Sequence, residues 1–144
     1  MKATNIVRLS FYSRSVNESF ARGTLAAFLA QKDPTVAELA DMKTAISEAV
    51  TNCIVHAYPQ QVGLIHMSIA LYEENVVKIT VSDKGVGIED VSKAMEPLFT
   101  TGNSDERAGL GFAVMQSFMD KVRVKSKPGK GTTVVMIKQL ARKM

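Results

Sequence analysis

Residues 48–56 read Glu48-Ala-Val-Thr-Asn52-Cys-Ile-Val-His56, and the reading of the whole chain starts there. Glu48, Asn52 and His56 recur at every fourth residue, so at about 100° per residue they make one narrow polar stripe along a helix. The apolar residues Leu39, Met42, Ile46, Ala49, Val50, Cys53, Ile54 and Ala57 centre roughly 120° around the same helix. One side packs and another presents polar groups. Taken alone, a carboxylate, an amide and an imidazole at this spacing are also an ordinary solvated helix face. The stripe gains meaning from three later stretches, Asp83-Lys-Gly85-Val-Gly87, Gly109-Leu110-Gly111 and Gly131-Thr132-Thr133.

Working outward, Thr35-Val-Ala-Glu38 is a capping box that opens this long helix, and Tyr58-Pro59 ends it. Before it, Asn5 to Tyr12 alternates as a half-buried strand, and Ser15 to Gln31 has helical spacing, with Ser15-Val-Asn-Glu18 as a second capping box. After it, Gly63 to Glu73 and Val76 to Ser82 form a hairpin around Glu73-Glu74-Asn75. A short helix is expected near Val91 to Met95, a mobile loop from Leu98 to Ala108, and a helix from Leu110 to Asp120. Strands Val122 to Lys127 and Thr132 to Leu140 close the chain around Pro128-Gly-Lys-Gly131. The order predicts an α/β (α+β) two-layer sandwich, a largely antiparallel mixed sheet with helices on one face.

At 144 residues the chain is read as one domain, 1–144, without linker, repeat or low-complexity tract. A single cysteine, Cys53, excludes a disulfide framework and points to a reducing compartment, the cytoplasm, with the thiol buried and inert. The longest apolar run, Leu25 to Ala30, is too short to span a membrane, and the first residues lack an apolar signal segment. The net charge of +4 is concentrated between Lys121 and Lys143. Interleaved with strand residues and without an aromatic stacking platform, these cations read as a solvated sheet edge rather than a nucleic-acid site. Such a balance also suits an acidic protein partner or an anionic ligand.

The polar stretches together supply what a magnesium-bound nucleotide requires. Asn52 offers a side-chain carbonyl to Mg²⁺, and Gly109 and Gly111 permit close backbone approach where the next helix would present its free N–H groups. Asp83, at a strand end before a tight Gly85-Val-Gly87 turn, can accept a hydrogen bond from an adenine amino group. The chain has neither the P-loop pattern nor G-x-G-x-x-G, and one Cys with two His cannot build a structural zinc cage.

Glu48-x3-Asn52-x3-His56, Asp83-x-Gly85-x-Gly87, Gly109-x-Gly111 and Gly131-Thr132 resemble, in content and order, the motifs of the GHKL superfamily of gyrase, histidine kinase and MutL ATP-binding domains. Within it, Asn17-Glu-Ser-Phe-Ala-Arg22, Ser47 to Asn52, and Pro97-Leu-Phe-Thr-Thr101 with Glu106-Arg107 are similar to the anti-sigma factor serine kinases. The resemblance implies a Bergerat-type ATP-binding fold and an ATP-dependent protein serine kinase. By its implication Glu48 is the general base for a substrate serine, and Asn52 holds Mg²⁺. Asp83 reads adenine with Thr132 assisting through water. His56, Gly85, Gly87, Thr101, Gly109, Leu110 and Gly111 complete the site for ATP or ADP.

Arg107 could neutralise the transferring phosphoryl group or be a solvated arginine, and His56 could orient phosphate groups or simply cap the helix. Arg22 resembles a partner-contacting arginine, with a solvated helix arginine as the alternative. The implied partners are an RNA polymerase sigma factor, held inactive by a homodimer, and an anti-anti-sigma protein as kinase substrate, in control of sporulation or a stress response. Neither nucleic acid nor membrane is expected as a direct partner. A nucleotide-gated binding module without kinase activity is the alternative. The chain departs from the family pattern at His56-Ala57-Tyr58-Pro59, where His-Gly-Tyr is expected, and at Gly102-Asn103, where Lys-Pro is common.

Overall fold

The computed structural model describes residues 2–95 and 104–142, with the side chains of 104–110 left aside. Its elements run β1 (Asn5–Tyr12), α1 (Val16–Leu29), α2 (Val36–Asn52), β2 (Leu64–Tyr72), β3 (Val76–Asp83), α3 (Val91–Ala94), α4 (Ser104–Phe118), β4 (Lys121–Lys127) and β5 (Gly131–Gln139). The five strands form one sheet in the order β1-β2-β3-β5-β4. All four pairings are antiparallel, so the expected mixed character is absent from this sheet.

Period-two alternation decides which face is covered. In β3, Val77, Ile79, Val81 and Asp83 are buried while Val76, Lys78, Thr80 and Ser82 are only partly covered. The buried set meets Met42, Ile46, Ala49 and Val50 of α2, Leu25 and Leu29 of α1, and Phe112 and Met115 of α4 in one core. The helices therefore lie on a single face, as the hairpin-rich order requires.

The two capping boxes have different outcomes. At Thr35 both arms form: the hydroxyl accepts from Glu38 N–H at 3.0 Å, and Glu38 accepts from Thr35 N–H at 2.8 Å. At Ser15 no side-chain cap forms, because Ser15 itself has helical φ/ψ and its side chain is not aimed at the free N–H groups. Glu18 is used elsewhere, pairing with Arg22 at 2.9 Å and accepting from Thr51 of α2 at 3.4 Å.

Two further boundaries differ from the sequence reading. The long helix changes register after Asn52, and Cys53–Ala57 is a π-helical turn. α4 begins at Ser104, so part of the expected loop, and both Gly109 and Gly111, lie inside a helix rather than at its start. The remainder of that expected loop, with Thr101, falls outside the described residues.

Glu38 also ties the start of α2 to the segment after β5, since its second oxygen accepts from Ala141 N–H at 2.7 Å. Burial works to raise its pKa, but the Thr35 and Ala141 N–H donors, the Thr35 hydroxyl and the Lys138 charge outweigh it and leave the carboxyl lowered. The stabilisation is thus complete above the ordinary carboxylate pKa and disappears as pH falls through the lowered folded value. Thr35→Ala should cost about 1 kcal/mol of unfolding free energy in urea titrations. Glu38→Gln should flatten the acid limb of the stability curve; an unchanged acid limb would show that this carboxylate is not linked to folding.

Candidate functional site

The site is built where the end of α2 meets the end of β3 and the start of β5. Asp83 is only 7% exposed, and a buried carboxylate needs donors on both oxygens. Its Oδ1 accepts from Gly85 N–H at 2.9 Å and from Thr132 N–H at 3.2 Å. Its Oδ2 accepts from the Cys53 thiol at 3.4 Å. A carboxylate has about four acceptor positions, so one on Oδ2 is left for a further donor.

The turn after β3 can hold this geometry only with glycine. Val86 N–H donates to the Ala57 carbonyl at 3.0 Å, and a Cβ on Gly85 would stand 2.1 Å from that same oxygen. The π-turn thereby becomes the wall against which the Asp83 turn is pressed. Tyr58 fixes its far end, accepting from Lys84 N–H at 2.7 Å and donating to the Leu64 carbonyl at 2.7 Å.

Asn52, His56, Asp83, Gly87 and Thr132 converge on one narrow cleft, otherwise lined by apolar groups including Ala49, Ile88, Phe112 and Val134. This is the composition of a small-molecule site, apolar walls with a few convergent polar groups. The Asn52 side-chain nitrogen is buried and finds no hydrogen-bond partner among the described residues. A buried amide donor left unmade is costly in a protein that never fills the site. Glu48 does not line the cleft itself. It lies beside Asn52 at the margin, where a Cβ on Gly111 would meet Asn52 Oδ1 at 3.2 Å and Glu48 Oε2 at 3.3 Å. Glycine lets the backbone of α4 rest directly on both polar side chains.

The structure places the other candidates differently. Gly109, Leu110 and Arg107 are in the first half of α4, whose helical path corrects the expected open helix end at Gly109 and Gly111: their N–H groups lie within the helix. Thr101 is outside the described residues. Arg22 is away from the cleft on α1, its side chain 40% exposed, within 3.5 Å of the Ser47 hydroxyl.

Sequence reading missed three supports. Ser126 exchanges a hydrogen bond with the Thr132 hydroxyl at 2.7 Å and accepts from Ile88 N–H at 2.7 Å. Its position opposite Thr132 in the β4–β5 hairpin was the available signal. Cys53 and Tyr58 were read only as core and as a helix end. Burial first, and then the Asp83 charge, push the Cys53 thiol well up, which keeps it a protonated donor to Asp83.

Among the described residues no three His, Cys, Asp or Glu side chains cluster as a metal cage. A magnesium ion here would be carried largely by phosphate oxygens, with the Asn52 carbonyl as protein ligand, a division suited to that ion.

Residues 13–138 match the histidine kinase-like ATPase domain family. The chain is 57% identical over 142 residues to the Anti-sigma F factor of Caldanaerobacter subterraneus subsp. tengcongensis, covering 99% of each. It is 48% identical to that of Clostridium acetobutylicum, covering 95% of each. Among solved structures, the RsbU and RsbW domains of a Mycobacterium tuberculosis protein share the fold with a TM-score of 0.72 at 22% identity, over 97% of this chain and 34% of that one. The histidine kinase domain of an Erythrobacter litoralis blue-light activated kinase aligns with a TM-score of 0.55 at 25% identity, over 73% of this chain and 46% of that one. On this sequence match and this fold, the chain belongs to the histidine kinase-like ATPase domain family, among relatives named Anti-sigma F factor.

Proposed function

We propose that this protein is an anti-sigma factor that binds ATP with Mg²⁺, restrains an RNA polymerase sigma factor as a cytoplasmic homodimer, and phosphorylates a serine of an anti-anti-sigma protein. Partner switching between the two would then set sporulation transcription. The observation that carries the nucleotide reading is the Asp83 carboxylate, held by two backbone N–H groups and a thiol with one acceptor position left in an apolar cleft. An exocyclic amino group is the donor that such a position selects. The names of the relatives support the sigma-factor reading. Two exposed apolar side chains on α1, Val16 and Phe20, lie on the same helix as Arg22 and suit a protein partner.

In this reading ATP supplies the phosphoryl group and Mg²⁺ offsets its charge. The protein's own work is positioning. Glu48, beside Asn52, accepts the proton of the incoming serine hydroxyl, a role that requires only hydrogen-bond reach and an ionised carboxylate. The Asn52 amide holds the nucleotide's metal end, and Asp83 with Thr132 holds the base. A second reading, a nucleotide-gated binding module without transfer, is favoured by the place of Glu48 at the margin of the cleft and not in its lining.

Two substitutions separate these readings. With Mg²⁺, labelled ATP and the anti-anti-sigma protein, Glu48→Gln should lower transfer by at least about 10²-fold. Its ATP affinity should stay within a few-fold by calorimetry. Equal transfer by the parent and the variant would remove Glu48 from the role of base, and no transfer by either would favour the gated module. Asp83→Asn should weaken ATP binding at least tenfold, while GTP, which lacks the amino group at that position, should bind poorly to both proteins. Unchanged ATP affinity in Asp83→Asn would reject the assigned base contact.

A further inference from the structure

The face of the sheet turned away from the helices has an unusual charge pattern. The strand registers define three rows across it. Ser10, His66, Ser82, Thr133 and Lys125 form one, Arg8, Ser68, Thr80, Val135 and Arg123 the next, and Ile6, Ala70, Lys78, Ile137 and Lys121 the third. With Lys127, six Lys and Arg side chains belong to this face, and no strand residue on it is an aspartate or glutamate. Among the described residues none of the six is in an ion pair. Among the described residues the acidic groups lie on the helices, in loops or at the β2–β3 turn, apart from Asp83 on the covered face.

Lysines along an edge strand serve to prevent edge-to-edge pairing, which accounts for β4. That does not account for Lys78, which is on the central strand. Between the basic edges lies an open depression of about 440 Å³ whose lining includes Arg8, Ser10, His66, Ser68, Thr80 and Ser82. Ser10 and His66 share a hydrogen bond of 2.7 Å within it. Arg8 and Arg123 occupy the ends of one row, four strand spacings or roughly 19 Å apart. The third row is mostly apolar.

We infer that this outer face is a docking surface for an acidic amphipathic segment of a partner protein, whose carboxylates meet the basic rows and hydroxyl depression while its apolar side chains cover Ile6 and Ile137. Charge complementarity selects this occupant. A second copy placed face to face would set six cations against six with no carboxylate to offset them. Single-stranded nucleic acid needs successive stacking platforms, and the two tyrosines of this face, Tyr12 and Tyr72, stand in rows at its opposite ends, with no Phe, Tyr or Trp in the three basic rows between them. The inference is independent of the nucleotide reading, because the cleft opens on the helix-covered side of the sheet.

The test is amide chemical-shift mapping of the full chain titrated with poly-L-glutamate at low salt. Shifts should be confined to the outer rows of β1, β2, β3, β5 and β4, and the apparent affinity should fall at least tenfold in Arg8→Glu/Arg123→Glu and on adding salt. Lys121→Glu/Lys125→Glu provides a second variant on the β4 edge, and thermal melts identify any variant that fails to fold. Several results would overturn the proposal: no shifts, shifts that persist unchanged in folded variants of both kinds, tighter binding of a DNA duplex to the same amides, or concentration-dependent self-association in sedimentation that broadens those amides.

Discussion

The site depends on one buried carboxylate. Asp83 sits at the last position of β3, where the strand would otherwise run out into solvent, and it gathers donors from three separate parts of the chain. Gly85 is in the turn that follows, Thr132 is on the neighbouring strand β5, and Cys53 is in the π-turn that continues α2. Without these donors a carboxylate 7% exposed would be strongly unfavourable. With them, it acts as a node that fixes sheet, turn and helix end relative to one another. The same group thus organises the fold locally and shapes the cleft.

The π-turn is the device that makes this closure possible. An α-helix continued through Ala57 would carry His56 on the straight extension of the stripe begun by Glu48 and Asn52. The wider turn at Cys53–Ala57 instead changes the angular progression and leaves the Ala57 carbonyl to accept Val86 N–H. π-turns inside α-helices recur at functional sites, and here the extra residue lets one helix both pack on the core and meet the Asp83 turn.

Much of this was legible in the sequence because it rests on short-range periodicity. The alternation of Val7, Leu9 and Phe11, the hairpin at Glu73-Glu74-Asn75 and the capping box at Thr35 are each decided within a few residues. The convergence of Asn52, Asp83 and Thr132 was legible only through the order of several motifs. What escaped was set by tertiary competition. Ser15 failed as a cap while Glu18 found Arg22 and Thr51 instead. The π-turn has no mark in composition, since Cys53 to Ala57 reads as unbroken helix. Glycines at 109 and 111 suggested a helix start, yet flanking residues carry the helix back to Ser104. The value of Gly111 was its missing side chain and not its backbone freedom.

In the proposed kinase, the missing side chain at Gly111 would link the nucleotide to Glu48. α4 rests on Glu48 and Asn52 through the bare backbone at Gly111. In a helix starting at Ser104, the N–H groups of residues 109–111 are used within the helix and become donors to phosphate only where the helix opens. Opening there would also remove the surface against which Glu48 and Asn52 lie. On the proposed reading, phosphate capture and the surroundings of the carboxylate would therefore be coupled through one stretch of main chain, with no side chain between them to buffer the change. Glycine at 111 is what would make that coupling direct.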